Sequence, residues 1–171
     1  MITIKAGQST SFPRIADAIE AAKAYAPMPV TIHIAPGRYH EKLTISQPHV
    51  TLIGDDASNT ILTYDDYARE IMPDGIKRGT FRTYTLFLDA PDITLCNLTV
   101  ENAAGAGKEV GQAIALYADG EGIRVENCRL IGSQDTLFTG PLPEKEKEPG
   151  GFRGPKEFAP RINGRQYYKN S

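Results

Sequence analysis

ITLCNLTV at residues 93–100 aligns without a gap with IRVENCRL at residues 123–130. The apolar positions of the two stretches coincide, and each carries an asparagine at the same place, Asn97 in the first and Asn127 in the second. A strand, an asparagine bend and a second strand that recur in this way are typical of a solenoid, because the bends stack on one another while the inward side chains form one continuous core. The repeat therefore predicts a parallel β-helix.

Short apolar runs separated by turn residues extend this pattern on both sides of the repeat. Most of them alternate apolar and polar residues, as half-buried strands do, and they lie at residues 30–34, 43–45, 50–53, 61–63, 85–88 and 113–116. A β-sandwich would show more two-residue hairpin turns of the Asn-Gly type. The one such pair, Asn163-Gly164, lies outside the strand-rich region, so an all-β parallel β-helix is favoured.

An amphipathic helix is predicted ahead of these strands. Ser11 offers a capping hydroxyl, and Pro13 suits the first turn of a helix. Apolar residues then recur at helical spacing as far as the prolines at positions 27 and 29; these are Ile15, Ile19, Ala22 and Tyr25. We expect this helix to cap the amino-terminal end of the solenoid.

Length and composition limit the class of protein. The chain has 171 residues, of which 40% are hydrophobic and 23% charged, and this fits a single domain over residues 1–171 with a substantial core. A net charge of -2 gives no basic footprint for nucleic acid, and no apolar run approaches the roughly 20 residues of a membrane span. The opening MITIK alternates like a strand and does not resemble a signal peptide, which favours a cytoplasmic location.

Two motifs set amides and a carboxylate at the ends of apolar runs. They are GQAIAL at residues 111–116, which contains Gln112, and GSQDTLF at residues 132–138, which contains Gln134 and Asp135. They resemble the QAVAL and QDTLY signatures of the pectin methylesterases, and GRYHE at residues 37–41 resembles the GxYxE signature of that family. The three motifs occur in the family's order, and the resemblance extends from about Ser11 to Ser171.

The resemblance implies a fold, a reaction and a substrate. The fold is a right-handed parallel β-helix, and the reaction is hydrolysis of methyl esters of galacturonan, or of its oligomers, with release of methanol. By the resemblance, the reaction needs neither a metal nor an organic cofactor. The resemblance also implies secretion, whereas the opening residues favour the cytoplasm.

Ester hydrolysis needs donors for the oxyanion and an acid for the leaving alcohol. By the resemblance, Gln112 and Gln134 stabilise the oxyanion, while Asp135 protonates the leaving methanol and later activates water. An aspartate acts as an acid near neutral pH only if its pKa is raised, typically by burial and by a second carboxylate.

Two further residues are candidate substrate ligands. Phe138 occupies a position where the family commonly has tyrosine, and its ring can stack on a sugar. Thr85, in TYTL at residues 83–86, corresponds to a threonine of the family's SATF stretch that contacts substrate. The alternative for Thr85 is a structural role within a strand.

The sequence departs from the family at its carboxyl-terminal side. It has no DFIFG-like segment, which carries the nucleophilic aspartate in the family, although RQYYKNS at residues 165–171 resembles the strand that leads into that segment. We therefore interpret the chain as the amino-terminal part of a pectin methylesterase, without the nucleophile and its arginine partner. The alternative is a non-catalytic β-helical fragment or polysaccharide-binding module.

Other polar features have structural interpretations. The polar segments at residues 64–82 and 141–160 are predicted long loops, either solvated insertions or walls of a substrate cleft. GRYHE is interpreted as a glycine turn, a packed tyrosine and a glutamate that accepts backbone hydrogen bonds. Histidines and cysteines show no metal-ligand spacing, the Asp-Asp pairs lack the alternation of a calcium loop, and both cysteines are expected to be reduced core residues. The histidines are His33, His40 and His49, the Asp-Asp pairs are Asp55-Asp56 and Asp65-Asp66, and the cysteines are Cys96 and Cys128.

Overall fold

The computed structural model describes residues 2–171, and the chain folds as a right-handed parallel β-helix. Among the described residues there are fourteen strands and two α-helices, α1 (Ile15–Ala22) and α2 (Gly107–Val110). The strands are β1 (Ile2–Ala6), β2 (Val30–Ile34), β3 (Gly37–His40), β4 (Leu43–Ile45), β5 (Val50–Gly54), β6 (Thr60–Tyr64), β7 (Leu86–Leu88), β8 (Thr94–Cys96), β9 (Thr99–Asn102), β10 (Leu116–Ala118), β11 (Ile123–Glu126), β12 (Arg129–Ile131), β13 (Leu137–Thr139) and β14 (Gln166–Lys169).

The strands form three parallel sheets that run along the solenoid. Sheet A has the order β1-β2-β5-β8-β11-β14, sheet B has β3-β6-β9-β12, and sheet C has β4-β7-β10-β13. The two halves of the sequence repeat pair in the predicted register, because Leu95 pairs with Val125 and Val100 pairs with Leu130. The predicted parallel β-helix is confirmed.

The asparagine bends stack as expected. Asn97 and Asn127 both have positive φ angles, 54° and 52°, and the Asn127 amide donates to Oδ1 of Asn97 at 3.3 Å. Asn170 adds a third member, since its amide donates to Oδ1 of Asn127 at 3.2 Å. The preceding coil has Gly54 at this point, where a Cβ would lie 2.4 Å from the Asn97 carbonyl oxygen. The asparagine ladder therefore begins beside a residue that must lack a side chain.

The core is a column of aliphatic side chains inside the three sheets. In sheet A, Ile32, Leu52, Leu95 and Val125 lie directly above one another, and all are fully buried. Full burial of such a side chain contributes about 1.5–3 kcal/mol relative to leaving it exposed. Successive coils thus extend a single core, because each inward position is filled by another branched aliphatic residue.

Helix α1 covers the amino-terminal end of this core, but it does not begin as predicted. The N-cap position is occupied by Arg14, whose side chain forms no cap hydrogen bond, so the prediction of a cap at Ser11 is wrong. The carboxylate of Glu41 supplies the cap, because its two oxygens accept hydrogen bonds from the backbone N–H groups of Ile15 and Ala16, both at 2.9 Å. Tyr25 lies in a 3₁₀ turn beyond the helix and is 39% exposed.

The packed tyrosine and the glutamate acceptor predicted in GRYHE are confirmed, but the predicted glycine turn is wrong, because Gly37 is the first residue of β3. Tyr39 is buried, and its hydroxyl donates to the carbonyl oxygen of Ala35 at 2.7 Å. Glu41 accepts backbone hydrogen bonds through the helix cap. The first four residues of the motif form β3, a strand that the alternation pattern does not predict.

Two other predictions need correction. The strand expected at residues 113–116 begins only at Leu116. The Ile114 N–H donates to the hydroxyl of Thr83 at 3.0 Å and not to a backbone carbonyl, and the Ile114 carbonyl accepts from the amide of Asn102 at 3.2 Å as well as from the Thr85 N–H at 3.1 Å. The cysteines are free as expected, and burial raises the pKa of Cys128 to about 11. Cys96, however, is only half-buried and lies outside the core.

Candidate active site

Gln112, Gln134 and Asp135 lie just before β10 and β13, at the same end of sheet C. The Ala113 N–H donates to the carbonyl of Gln134, and the Ala115 N–H donates to the carbonyl of Thr136, both at 3.0 Å. These two hydrogen bonds flank Asp135 and set it beside Ile114 of the preceding coil. The structure therefore places Gln112, Gln134 and Asp135 at neighbouring backbone positions on successive coils.

Asp135 stands at a bend with its side chain toward solvent. Its φ angle is 57°, a left-handed conformation that aspartate tolerates better than most residues, and the residue is exposed. Among residues 2–171, no side chain forms an ion pair with its carboxylate. The flanking residues Gln134 and Thr136, and Ile114 beside it, bring no second carboxylate.

The Gln134 side chain packs across the start of α2. A Cβ at Gly107 would lie 2.7 Å from Oε1 and 2.8 Å from Cβ of Gln134, so a larger residue there would displace the Gln134 side chain. The Gly107 N–H donates to the hydroxyl of Ser133 at 2.9 Å, which ties the beginning of α2 to the next coil. The short helix therefore sets the space available to the Gln134 amide.

Buried polar side chains hold the segment that carries Gln112. The Asn102 amide donates to the carbonyls of Asp66, Thr83 and Ile114 at 3.0, 2.9 and 3.2 Å. The Thr83 hydroxyl donates to the Thr80 carbonyl at 2.7 Å and accepts from the Ile114 N–H. Both Asn102 and Thr83 are buried, and they fix Ile114 two residues beyond Gln112.

The loop between β6 and β7 holds the same segment from the other side. The Ala68 N–H donates to the Gln112 carbonyl at 2.9 Å. Nη1 of Arg69 donates to the carbonyls of Lys108 and Glu109 at 2.6 and 3.1 Å. Asn102, Thr83 and Arg69 could not be predicted from the sequence, because each forms hydrogen bonds with backbone groups of a distant segment. The one local signal was the polar side chain of Asn102 at the end of β9.

A row of aromatic rings covers the outer face of sheet C next to Asp135. Phe87, Tyr117 and Phe138 are in register on β7, β10 and β13 and form what we call the aromatic row. Ring centroids are 4.6 Å apart for Phe87 and Tyr117 and 4.9 Å apart for Tyr117 and Phe138. Phe87 and Tyr117 are fully buried, whereas Phe138 is half-buried. Phe138 is therefore the member of the row that retains exposed surface.

The Tyr117 hydroxyl is the polar end of this row. It is buried and has no hydrogen-bond partner within residues 2–171. Burial raises its pKa, and the nearby Asp119 carboxylate raises it further. The hydroxyl therefore stays neutral.

Thr85 is not placed as a ligand would be. It is fully buried, and its hydroxyl donates to the Glu101 carbonyl at 2.8 Å. A hydroxyl without solvent access cannot contact a sugar in this arrangement, so the structure favours the structural alternative for Thr85.

The loop between β13 and β14 is fastened over the same face. Nζ of Lys156 lies 2.7 Å from Oδ1 of Asp89 and 3.8 Å from Oδ2 of Asp119. Burial raises the pKa of Asp119, and the Lys156 ammonium opposes that rise. Phe152 of this loop lies 6.1 Å from Phe81, whose ring also packs edge-on against Phe138 at 5.0 Å. Both long loops thus border the aromatic row.

Within residues 2–171, no group of three or more His, Cys, Asp or Glu side chains is close enough together to hold a metal ion. In the same range, no helix has the length and apolar character needed to cross a membrane.

Comparison with known proteins gives consistent matches. A family model described as Pectinesterase matches residues 1–142, which include all the predicted site residues. Probable pectinesterase/pectinesterase inhibitor 23 of Arabidopsis thaliana is 37% identical over 130 residues, covering 74% of this chain and 22% of that protein. Pectinesterase A of Dickeya dadantii (strain 3937) is 30% identical over 152 residues, covering 81% of this chain and 41% of that protein.

Solved structures give the same picture. Pectin methylesterase PemA from Erwinia chrysanthemi superposes with a TM-score of 0.71 at 29% identity, covering 81% of this chain and 45% of that one. A pectin methylesterase in complex with a hexasaccharide superposes with a TM-score of 0.73 at 29% identity, covering 81% of this chain and 46% of that one. The chain spans less than half the length of each of these relatives.

Proposed function

The chain belongs to the pectinesterase family, and on that premise we propose that it serves in the hydrolysis of methyl esters of galacturonan with release of methanol. The observation that carries this proposal is the meeting of Gln112, Gln134 and Asp135 at one end of sheet C. Two uncharged amides and one carboxylate are the groups that this reaction requires for its oxyanion and for its leaving alcohol.

The two glutamines are proposed to donate hydrogen bonds to the oxyanion that forms at the ester carbonyl. An amide N–H₂ group suits this role because it stabilises developing negative charge without forming an ion pair beforehand. The packing of Gln134 against Gly107, and the fastening of the Gln112 backbone to Ala68, support donors with restricted positions.

Asp135 is proposed to protonate the departing methanol and then to take a proton from the water that completes hydrolysis. Its exposed side chain can reach a bound ester. Attack on the carbonyl also needs a nucleophile, and none of Gln134, Thr136 and Ile114 brings a second carboxylate to Asp135. We therefore propose that Asp135 works together with a nucleophile that is not among these neighbours.

The proposed substrate is methyl-esterified galacturonan or its oligomers. The half-buried Phe138 ring, held edge-on by Tyr117 and Phe81, offers a rigid apolar surface beside Asp135. Such a surface favours stacking with the carbon face of a sugar ring. The hexasaccharide complex of the similar pectin methylesterase supports an oligosaccharide ligand for this chain as well.

The experiment is an assay of methanol released from methylated pectin by the purified protein, run beside calorimetry with methylated oligogalacturonates. We expect oligosaccharide binding, and methanol release only where a nucleophile other than Gln134, Thr136 and Ile114 acts with Asp135. A second function, a non-catalytic polysaccharide-binding module, is favoured by the absence of a second carboxylate among the flanking residues. Oligosaccharide binding without methanol release would support that module, and the absence of both would contradict either function.

A further inference from the structure

Helix α2 has almost no support of its own. It contains four residues, and a helix of that length is not stable in isolation. Ala106, which precedes it, has no polar side chain to cap the helix, and Gly107 is the one residue of the four that is buried. Hydrogen bonds from outside the helix must therefore hold α2 in place.

A single residue of the loop between β6 and β7 supplies the hydrogen bonds at the carboxyl-terminal end of α2. Nη1 of Arg69 donates to the carbonyls of Lys108 and Glu109 at 2.6 and 3.1 Å. The backbone N–H of Arg69 donates to the next carbonyl, that of Val110, at 3.2 Å. A helix leaves its last carbonyls without donors of its own, and a positive charge is favourable beside them. Arg69 is therefore the carboxyl-terminal cap of α2.

The turn that follows α2 leaves room for this side chain. Gly111 has a φ angle of 80°, a conformation that glycine adopts at the end of a helix. A Cβ on Gly111 would lie 3.2 Å from Cγ of Arg69, so the stem of the arginine passes close to the glycine backbone. The cap thus combines hydrogen bonds with close packing of the Arg69 stem.

The other end of α2 lies against Gln134, one of the two candidate oxyanion donors. The Gly107 N–H donates to the hydroxyl of Ser133 at 2.9 Å, and a Cβ on Gly107 would lie 2.7 Å from Oε1 of Gln134. Gln134 is otherwise exposed, and an exposed glutamine samples many rotamers. The contact with Gly107 is therefore what narrows the positions of this amide.

We propose that Arg69 is a positioning residue for Gln134, because its guanidinium group holds α2 where Gly107 confines the amide. This inference rests on the proposed function, in which that amide stabilises the oxyanion. Gln112 is held separately, because the backbone N–H of Ala68 donates to its carbonyl whatever side chain follows at position 69. Removal of the guanidinium group therefore affects one of the two glutamines.

Nuclear magnetic resonance of the Gln134 side-chain amide tests this positioning without requiring turnover, and the spectrum of Gln134→Ala identifies its resonances. Arg69→Gln removes the guanidinium group, whereas Arg69→Lys keeps the positive charge and a donor. Arg69 is exposed, so neither substitution disturbs the core. Arg129→Gln is the matched control, because Arg129 is exposed on β12 in sheet B and has the same charge.

We expect Arg69→Gln to shift the Gln134 amide resonances toward those of an unrestrained glutamine. Hydrogen exchange of the Gly111 N–H, which closes α2 by donating to the Gly107 carbonyl, should become roughly tenfold faster. Arg69→Lys should restore most of both properties, and Arg129→Gln should change neither.

Kinetics of methanol release provide a second readout. Arg69→Gln should lower kcat roughly 10- to 100-fold with little change in KM, because a misplaced donor is lost from the transition state and not from the bound substrate. Since the substitution acts through Gln134, its effect should disappear in a Gln134→Ala background. In a Gln112→Ala background the effect should persist in full, because the two changes are then independent.

Ser133→Ala provides a second variant, because it removes the acceptor at the other end of α2, and the melting temperature of each protein shows whether it is folded. Unchanged Gln134 amide resonances in Arg69→Gln and Ser133→Ala would overturn the proposal, as would equal shifts in Arg129→Gln. An equal loss of kcat from Arg69→Gln in both glutamine backgrounds would also overturn it. Absence of methanol release from the unsubstituted protein concerns the esterase function alone, because the resonance measurement decides the role of Arg69 without turnover.

Discussion

Gln112 lies on the coil before Asp135, whereas Gln134 directly precedes Asp135 in the chain. The two glutamines are held by different contacts. The backbone of Gln112 is tied to the first long loop, whereas the side chain of Gln134 packs against Gly107. Because the two residues make different contacts, each side chain can be removed without displacing the other. Their roles as oxyanion donors therefore make separate predictions.

We expect Gln112→Ala and Gln134→Ala each to lower kcat by roughly 10² to 10³, the loss that follows removal of one oxyanion donor. KM for methylated pectin should change little, because the oxyanion exists only in the transition state. Steady-state kinetics of methanol release provides the measurement, with Asn163→Ala at an exposed position ahead of β14 as the control. A tenfold or smaller effect at both glutamines would indicate amides with a structural role.

Phe138 makes a prediction about binding. Phe138→Ala should weaken the binding of methylated oligogalacturonate more than Phe138→Tyr does, because tyrosine keeps the stacking ring and alanine does not. Calorimetry in an Asp135→Asn background removes the effect of turnover. Equal affinities for the three proteins would show that the ring does not contact the sugar.

Asn102 makes a prediction about positioning. Asn102→Ala leaves the carbonyls of Asp66 and Thr83 without their side-chain donor, and each such buried group costs about 1–3 kcal/mol. We expect urea denaturation to show a loss of at least about 2 kcal/mol, and kcat to fall because Ile114 no longer holds the Gln112 segment. Unchanged stability would mean that water replaces the amide without cost.

At the scale of elements, the start of α1 depends on a residue that is 26 positions away in sequence. Glu41 follows β3 and caps the helix with both carboxylate oxygens, so the amino-terminal cap and the second coil are fastened together. This contact explains why a glutamate in the GRYHE motif has a structural role.

Glu41→Gln should lower the free energy of unfolding by about 1 kcal/mol, because one oxygen acceptor and the favourable charge at the helix amino terminus are both lost. Glu20→Gln is the matched control, since it makes the same change in charge at an exposed pair with Lys23, where little change is expected. Thermal and urea denaturation measure the difference. An equal effect of the two substitutions would contradict a specific cap.

Local repetition explains which elements could be predicted. The bends at Asn97 and Asn127 were visible in the sequence because successive coils place the same residue at the same point. The start of β10 at Leu116 could not be predicted, because Thr83 and Asn102 form hydrogen bonds with the N–H and the carbonyl of Ile114 from distant positions in the sequence. The cap from Glu41 escaped prediction for the same reason, and Thr85 was predicted as a ligand because a strand pattern does not reveal complete burial.

At the scale of the whole molecule, the solenoid suits a polymeric ligand. Each coil presents a residue at the same point on the outer face of sheet C, and the aromatic row is the result. The two long loops border this face through Phe81 and Phe152, and Phe138 is the ring of the row that retains exposed surface. The parts of the site that could be predicted, Gln112, Gln134 and Asp135, lie in short local motifs, whereas the contacts of Asn102 and Thr83 arise only from the meeting of distant segments.

The most direct test of the proposed function compares methanol release from methylated pectin by the protein with release by its Asp135→Asn variant. The substitution keeps the shape of the side chain and its bend while removing the group that transfers the proton. We predict that the variant loses methanol release and still binds methylated oligogalacturonate with nearly unchanged affinity. Methanol release by Asp135→Asn at a rate close to that of the unsubstituted protein would contradict the assignment of Asp135 as the acid and, with it, the proposed mechanism.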